Sequence, residues 1–273
     1  MTEEPEGERG MLVALLQCES RPLDLPRNLR RLASAAASAS AAGAALLVCP
    51  EMFLTGYAIG PSGVQGLAME LSSDLASEPI LAVAAIARES GVAIVCGFPE
   101  LSGAEVYNAV VFVDGSGRVV STYRKTHLFG ELDRSQFTAS RAPSVVFDWE
   151  GWKVALLVCY DVEFPETVRR ASLDGADLVL VPTANMVEYD VVPDLLVPAR
   201  AVENQVFVAY ANYCGAEGSL TYGGRSLVAG PTGAVLASAG RGEELLFARL
   251  SRGALATSRA ASPYLADRNP AAY

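Results

Sequence analysis

Apolar runs of strand length alternate along this chain with longer segments in which apolar residues recur at helical spacing. Valine- and leucine-rich runs that stop abruptly predict buried β-strands, whereas the longer periodic segments predict amphipathic helices. The predicted strands are residues 11–17, 44–49, 92–97, 106–114, 118–124, 145–148, 153–158, 176–182, 206–212, 226–229, 234–238 and 245–250. The predicted helices are residues 27–42, 75–90, 165–174 and 194–205, with Asp194 as the cap of the last one.

Strands that alternate with helices, and hairpin-like strand pairs joined by glycine-containing turns, predict an α/β fold with one mixed sheet or two layered sheets. The chain shows no internal repeat and no linker-like stretch, so residues 1–273 form one predicted domain with a core of about 11–250. Residues 51–61 are a predicted loop, and residues 125–141 are a long polar segment. The weakly patterned residues 251–273 are expected to pack on a neighbouring element or on a partner subunit.

The 273 residues carry a formal net charge of −10, and 51% of them are hydrophobic. This balance favours a folded protein and argues against nucleic acid or an anionic membrane surface as a partner.

None of the five cysteines forms a C-x-x-C pair, which is the usage of a reducing compartment. The acidic residues 1–10 precede an apolar run too short for a signal peptide or a membrane span, so we expect a cytoplasmic protein.

The stretch 151–166, GWKVALLVCYDVEFPE, places a cysteine where a buried strand turns into a helix. The apolar run stops at Cys159, and Pro165 suits the first helical turn because its missing N–H would have no partner there. Open α/β sheets place their ligands at such strand ends, and a helix N-terminus favours a thiolate. The alternative is a packed, inert cysteine, because free cysteine is commonly buried.

Two other predicted strands also end in reactive groups, with Glu51 after LLVCP and Lys125 after VVSTYR. Because strand ends at one edge of a sheet converge, we expect both to meet Cys159. A carboxylate in an apolar pocket can take the proton of a thiol. The lysine ammonium and the backbone N–H of Tyr160 can then stabilise an oxyanion. Taken singly, each of these groups also fits a structural or solvated role.

Other chemistry has less support from the residues. A Cys–His or Ser–His–Asp arrangement would have to use His127, the only histidine, which in an extended segment would face the same way as Lys125. His127 therefore stays an alternative base, although a structural imidazole is favoured. With one histidine and no cysteine pair, a transition-metal site is not expected. No glycine-rich nucleotide motif is present, so we expect no cofactor.

Six blocks of the sequence share a recognisable pattern. They are PEMFLTGY (50–57), YRKTHLFGELDRSQF (123–137), CYDVEFPE (159–166), PTAN (182–185), ARAVENQ (199–205) and YANYCG (210–215). Together they resemble the nitrilase, or carbon–nitrogen hydrolase, superfamily, over nearly the whole chain. The resemblance implies a four-layer αββα sandwich that dimerises through its helical surfaces, so we expect a homodimer or a larger homo-oligomer.

The resemblance also implies a Glu–Lys–Cys triad. Glu51 would be the general base and later the acid, Lys125 the oxyanion stabiliser and Cys159 the nucleophile. Many members carry a second glutamate in the loop after the lysine, which positions the substrate amide or the lysine, and Glu131 is the candidate here. The candidate substrate-binding residues are Tyr57, Asp133, Glu163 and Asn185.

Within the superfamily, the longer blocks most resemble aliphatic amidases of the 5-aminopentanamidase type. In relatives that act on N-carbamoyl amino acids or dicarboxylate monoamides, an arginine after the nucleophile pairs with a substrate carboxylate, and here Glu163 stands at about that place. A glutamate would repel a carboxylate and favour an ammonium or guanidinium tail. Asp133, Glu188 and Asp190 would add to an acidic pocket. Alternatively, Glu163 pairs within the fold, as is expected of Asp161.

The implied activity is hydrolysis of a carbon–nitrogen bond in a linear amide. A short aliphatic primary amide with a distal cation, such as 5-aminopentanamide or 4-guanidinobutanamide, would yield the acid and ammonia through a cysteine thioester. The nearest alternative is an N-carbamoyl amino acid hydrolase or an omega-amidase-like hydrolase of dicarboxylate monoamides. A nitrilase proper and a non-catalytic scaffold member have less support, because the likeness is to amide-cleaving members with an intact triad.

Overall fold

A computed structural model describes residues 10–72 and 76–272. Its strands are β1 (Met11–Glu19), β2 (Leu46–Val48), β3 (Met69–Glu70), β4 (Ala93–Ser102), β5 (Glu105–Val113), β6 (Val119–Arg124), β7 (Phe147–Trp149), β8 (Trp152–Leu156), β9 (Leu178–Thr183), β10 (Phe207–Glu217), β11 (Leu220–Gly223), β12 (Leu227–Ala229), β13 (Val235–Ser238) and β14 (Glu244–Leu250). Its α-helices are α1 (Leu25–Ala41), α2 (Gly60–Gly66), α3 (Glu78–Ser90), α4 (Gly130–Gln136), α5 (Pro165–Leu173), α6 (Val197–Asn204) and α7 (Arg252–Ala261). Across this described part of the chain, no helix is long and apolar enough to cross a membrane.

The strands form two layered sheets that join at one corner. One sheet runs β6-β5-β4-β2-β1, with β14 antiparallel to β1, and the other runs β7-β8-β9-β10, with β12 and β13 beside β10. The two sheets meet where the end of β1 pairs in parallel with β10, at Cys18–Tyr213 and Glu19–Cys214. This mixed topology explains why the sequence predicted both parallel strands and hairpins.

The burial pattern shows why the sheets stack into a sandwich. On β1, Val13 and Leu15 pack in one cluster with strands of the other sheet, whereas Ala14 and Leu16 pack in a second cluster with α1 and α3. Successive side chains on a strand point to opposite faces, so each strand of this sheet buries both faces. The predicted α/β sandwich, with helices outside two facing sheets, is confirmed.

Several elements were missed because their residues give weak signals. Helix α2 has the sequence GPSGVQG and buries only Val64, and α4 lies inside the long polar segment 125–141, for which no helix was predicted. The predicted cap at Asp194 is wrong, because Asp194 lies inside a π-helical turn, Val192–Leu196, and its carboxylate pairs with Arg225. Residues 1–9 and the predicted helix start at residue 75 lie outside the described residues.

Helix α7, within the segment predicted to be weakly patterned, packs on its own domain. Its first turn is capped by Ser251, whose hydroxyl accepts a hydrogen bond from the N–H of Ala254 at 3.2 Å. Near its end, Arg259 contacts Asp177 at 2.8 Å and donates to the carbonyls of Ala176 and Gln205. A role of the segment at a subunit interface stays a prediction.

Replacing Arg259 with alanine should lower the free energy of unfolding by about 2 kcal/mol, because a part-buried guanidinium with three partners is lost. Denaturant unfolding would measure the change. The matched control is Arg30→Ala on the exposed face of α1, which should change the free energy by less than about 0.5 kcal/mol. Equal stabilities of the two variants would show that the Arg259 bonds do not stabilise the domain.

Candidate active site

Three reactive side chains follow parallel strands that end at one edge of the sandwich. Glu51 follows β2, Lys125 follows β6, and Cys159 follows β8. Strand β2 is parallel to β4, and β6 runs the same way because β4 and β6 are both antiparallel to β5. Strand β8 is parallel to β9, which is parallel to β10, and β10 pairs in parallel with β1. The expected convergence of the three strand ends is therefore present.

The Lys125 ammonium lies between two carboxylates in a fully buried cluster. Its Nζ is 2.7 Å from Glu51 Oε1 and 2.7 Å from Asp133 Oδ2, and all three side chains are fully buried. The amide of Asn108 also donates to Glu51 Oε1 at 2.6 Å, and the N–H of Phe129 donates to Asp133 Oδ2 at 2.8 Å. Each carboxylate is therefore held by the lysine and by one further donor.

Burial shifts the protonation equilibria of this cluster. It raises the pKa of Glu51, and the nearby Lys125 charge only partly opposes the shift. Burial alone would lower the pKa of Lys125, but the Glu51 and Asp133 carboxylates hold it well above its ordinary value. The pKa of the Cys159 thiol is raised by burial and by the Glu51 charge, against the influence of Lys125. A neutral thiol thus lies near a carboxylate that binds a proton more readily than usual, which is the arrangement of a nucleophile and its base.

Cys159 begins a short 3₁₀ turn, Cys159–Glu163, and has a left-handed backbone conformation with φ +46°. Non-glycine residues rarely adopt this conformation, and such strain concentrates at functional sites. Tyr160 lies in the first turn, where N–H groups have no partner within the helix and can stabilise negative charge. The geometry therefore suits a nucleophile beside a backbone oxyanion donor.

Asp161 connects the nucleophile turn to the segment after Lys125. It is fully buried, and its carboxylate accepts hydrogen bonds from Tyr123 Oη (2.9 Å), Thr126 Oγ1 (2.8 Å) and the N–H of His127 (2.9 Å). The N–H of Val158 donates to the same side chain at 3.2 Å. Asp161 is thus satisfied within the fold, as the sequence indicated.

His127 faces away from the ion cluster. Its Nδ1 lies 2.8 Å from Asp161 Oδ1, and its ring stacks on Phe164 at 4.0 Å between centroids. The extended segment in which His127 and Lys125 would face the same way is not present, because the chain bends directly after Lys125. The structure favours the structural imidazole over the alternative base.

Asp133, and not Glu131, is the acid in contact with Lys125. Glu131 is exposed in the first turn of α4, whereas Asp133 points inward and is buried. The sequence-based choice of Glu131 depended on the family pattern, and only the missed helix decides which acid faces the lysine.

Asn108 was also missed, although an amide inside the apolar run VYNAVVFV was a usable signal for a buried hydrogen-bonded group.

The remaining predicted binding residues have different surroundings. The Tyr57 ring is buried with its centroid 5.7 Å from Lys125 Nζ. The Asn185 side chain is bonded within the fold, because its amide donates to the carbonyl of Tyr189 at 3.1 Å. The Glu163 side chain is half-buried, and burial raises its pKa against the opposing charges of Lys125 and Arg200. Within residues 10–72 and 76–272, its carboxylate has no hydrogen-bond or ion-pair partner.

The acidic pocket expected from four residues is smaller than predicted. Asp133 is paired with Lys125, and Asp190 is paired with Arg241 at 2.5 Å and Arg225 at 3.4 Å. Two of the four carboxylates are therefore ion-paired within the fold. In the described part of the chain, no group of three or more His, Cys, Asp or Glu side chains is placed to hold a metal ion.

Comparison with known sequences agrees with this arrangement. The sequence model of the carbon–nitrogen hydrolase family matches residues 12–260. This chain belongs to the carbon–nitrogen hydrolase family. It is therefore a member of the nitrilase superfamily and a hydrolase that acts on amides.

Individual relatives of this carbon–nitrogen hydrolase support an amidase with an active-site cysteine. The chain is 48% identical over 268 residues to a "Hydrolase in pqqF 5′ region" of Pseudomonas protegens, which covers 98% of this chain and 92% of the relative. It is 36% identical over 259 residues to an "(R)-stereoselective amidase" of a Pseudomonas species, covering 94% and 91%. A solved structure of an amidase from Nesterenkonia sp. AN1 is 37% identical with a TM-score of 0.84, covering 100% of this chain and 98% of that one. That structure is of a glutamate-to-glutamine mutant, and its active-site cysteine carries the acetamide moiety of fluoroacetamide.

The position of Glu51 depends on a glycine in the neighbouring strand β4. A Cβ on Gly97 would lie 2.3 Å from the backbone nitrogen of Met52 and 3.0 Å from the carbonyl carbon of Glu51. Gly97→Ala should therefore displace Glu51 and lower kcat/KM on the order of 10²-fold, because misplacement by about 1 Å is enough for such a loss. Ammonia release would measure it.

The matched control is Gly66→Ala, since Gly66 has open space around its Cβ position and lacks a positive φ. We expect Gly66→Ala to stay within about twofold of wild-type activity, as most substitutions away from special sites have small effects. Full activity of Gly97→Ala would contradict the dependence of Glu51 on this close approach.

Proposed function

We propose that this amidase hydrolyses a short aliphatic primary amide with a distal cationic group, of the 5-aminopentanamide or 4-guanidinobutanamide type, to the carboxylic acid and ammonia. The observation that carries the proposal is the Glu163 carboxylate, which is half-buried, lies within the influence of the Lys125 and Arg200 charges, and makes no hydrogen bond or ion pair in the described part of the chain. A buried or half-buried carboxylate without a partner favours a cationic ligand.

The proposed chemistry assigns one role to each group of the ion cluster. Glu51 takes the proton of the Cys159 thiol, and the sulfur attacks the amide carbonyl carbon. Lys125 and the N–H of Tyr160 stabilise the resulting oxyanion. Glu51 then returns its proton to the leaving nitrogen, ammonia departs, and a thioester remains. Water activated by Glu51 attacks the thioester, which releases the acid and restores the thiol on Cys159.

The selection of a primary amide has its own support. Two carboxylate oxygens at the site, Glu51 Oε2 and Asp133 Oδ1, are buried without a well-formed hydrogen bond to a described residue, although the Tyr57 hydroxyl interacts with the Asp133 carboxylate. Buried acceptors of this kind are costly unless a donor reaches them. An NH₂ group offers two donors, so a primary amide could satisfy both oxygens, whereas an ester could satisfy neither.

Charge separates this proposal from the nearest alternative. The chain is 32% identical over 224 residues to a 2-oxoglutaramate amidase of Bacillus subtilis, covering 81% of this chain and 84% of that relative. An anionic substrate of that kind needs a cation for its free carboxylate. Glu163 offers the opposite charge, and the guanidinium of Arg200 is occupied by the carbonyls of Val162 and Glu163 and by Glu203. We therefore favour the cationic tail.

Cys159→Ala should abolish ammonia release and, in a Glu51→Gln background like that of the labelled relative, also labelling by fluoroacetamide, because the other four cysteines are buried. Mass spectrometry after incubation with fluoroacetamide would locate the label. The matched control is Cys214→Ala, which removes a thiol whose pKa is raised to about 11 by burial and should leave both labelling and turnover intact. Turnover by Cys159→Ala would refute the assignment of the nucleophile.

Glu163→Gln should lower kcat/KM for 5-aminopentanamide and 4-guanidinobutanamide by about 10- to 100-fold, since a charge-assisted bond of roughly 1.5–3 kcal/mol is lost. Neutral pentanamide should change by less than about threefold, as a neutral tail makes no such bond. Ammonia release from these three amides and from glutaric acid monoamide would measure the preference.

The control is Glu166→Gln, which makes the same charge change on an exposed side chain three residues away and should leave all rates within about twofold. A wild-type preference for glutaric acid monoamide would overturn the cationic tail but not the nucleophile. Equal losses on cationic and neutral amides in Glu163→Gln would show that Glu163 has only a structural role.

A further inference from the structure

A second buried carboxylate, outside the ion cluster, lies at the end of β10. Glu217 is 4% exposed, and both of its oxygens are used. Oε1 accepts a hydrogen bond from the N–H of Ala58 at 2.7 Å, and Oε2 accepts one from the Tyr222 hydroxyl at 2.8 Å. The first bond joins the β10–β11 hairpin to a loop 159 residues earlier in the chain.

The loop is shaped to approach this carboxylate closely. Gly56 has φ +86°, and a Cβ there would lie 3.1 Å from Glu217 Oε1 and 2.7 Å from Pro22 Cα. Glycine adopts this conformation without strain and leaves room for the contact. Gly56 and Ala58 therefore both lie against Glu217, and the residue between them has its backbone held on both sides.

That residue is Tyr57, whose ring covers the Lys125 ammonium at 5.7 Å. Its pKa is raised by burial and by the Glu51 and Asp133 carboxylates, so a neutral phenol closes this side of the ion cluster. A ring in this place keeps water from Lys125 and adds a favourable cation–π contact.

We propose that Glu217 is a positioning residue, which holds Tyr57 over Lys125 through its hydrogen bond to the Ala58 N–H. The inference depends on the proposed role of Lys125 as the oxyanion stabiliser. Glu217 touches neither the substrate nor the reacting atoms. It acts because a charge-assisted bond from a buried carboxylate fixes a backbone position more firmly than a neutral bond would.

Glu217→Ala leaves the part-buried Ala58 N–H and the buried Tyr222 hydroxyl without an acceptor, and it frees Tyr57 to move. We expect kcat/KM to fall on the order of 10²-fold, the effect of a displacement of about 1 Å near reacting groups. Glu217→Gln keeps an acceptor for Ala58 and should lose less than about fivefold. Tyr222→Phe removes only the other bond and, as the matched control, should stay within about twofold in activity.

Two readouts separate positioning from a structural role. If Glu217 acts through Tyr57, the double variant Tyr57→Ala/Glu217→Ala will be no slower than Tyr57→Ala alone, since the effects of coupled residues on the activation free energy are not additive.

Looser packing of Tyr57 also admits water, which relieves the burial that raises the pKa of Glu51. The base then ionises at lower pH, so the acidic limb of kcat/KM for Glu217→Ala should move to lower pH.

Multiplicative losses in the double variant, together with an unshifted acidic limb, would overturn the inference. Wild-type kcat/KM in Glu217→Ala would overturn it as well. If Glu217→Ala does not fold, Glu217→Asp replaces it: the charge stays but the reach is shorter by one methylene, and we expect a loss of about tenfold. An active Cys159→Ala variant would refute the proposed function itself, a result independent of every Glu217 measurement.

Discussion

The contact of the Lys125 ammonium with two carboxylates is the interaction on which the site depends. All three charges are withdrawn from water, so each is stable only while the others are in place. Removal of one partner from such a group leaves an uncompensated buried charge, at a cost of about 3–5 kcal/mol. The apolar sandwich that excludes water from this edge is therefore part of the site, since it raises the pKa of Glu51 and keeps Cys159 a neutral thiol.

The fold supplies the geometry through backbone features as much as through side chains. Parallel strands bring three chain segments to one edge, and a left-handed turn at Cys159 presents the sulfur at the end of its strand. Asp161 then joins this turn to the segment after Lys125 by accepting four backbone and hydroxyl hydrogen bonds. Asn108 and Gly97 fix Glu51 from β5 and β4, respectively.

Ion pairing inside the fold decides which acids remain for a ligand, and the proposed selectivity depends on it. Asp133 and Asp190 are paired with cations of the chain, whereas the Glu163 carboxylate has no partner in the described residues. The same comparison distinguishes Glu217, whose oxygens are both occupied by donors of the fold. The unpaired Glu163 carboxylate is suited to binding a ligand, whereas the occupied Glu217 carboxylate is suited to holding a loop.

The sequence by itself determined the α/β class, most core strands, and the three strand ends at Glu51, Lys125 and Cys159, because buried strands have a strong apolar signal and polar residues mark their ends. It could not decide between Glu131 and Asp133, since that depends on the rotation of α4, a helix of seven residues with little apolar pattern. It also could not show the ion pairs of Asp190 or the Glu217 bond to Ala58, because these partners are far apart in the chain. Local sequence preferences determine neither the rotation of a short helix about its axis nor the contacts between residues far apart in the chain. Only the packed tertiary structure decided both.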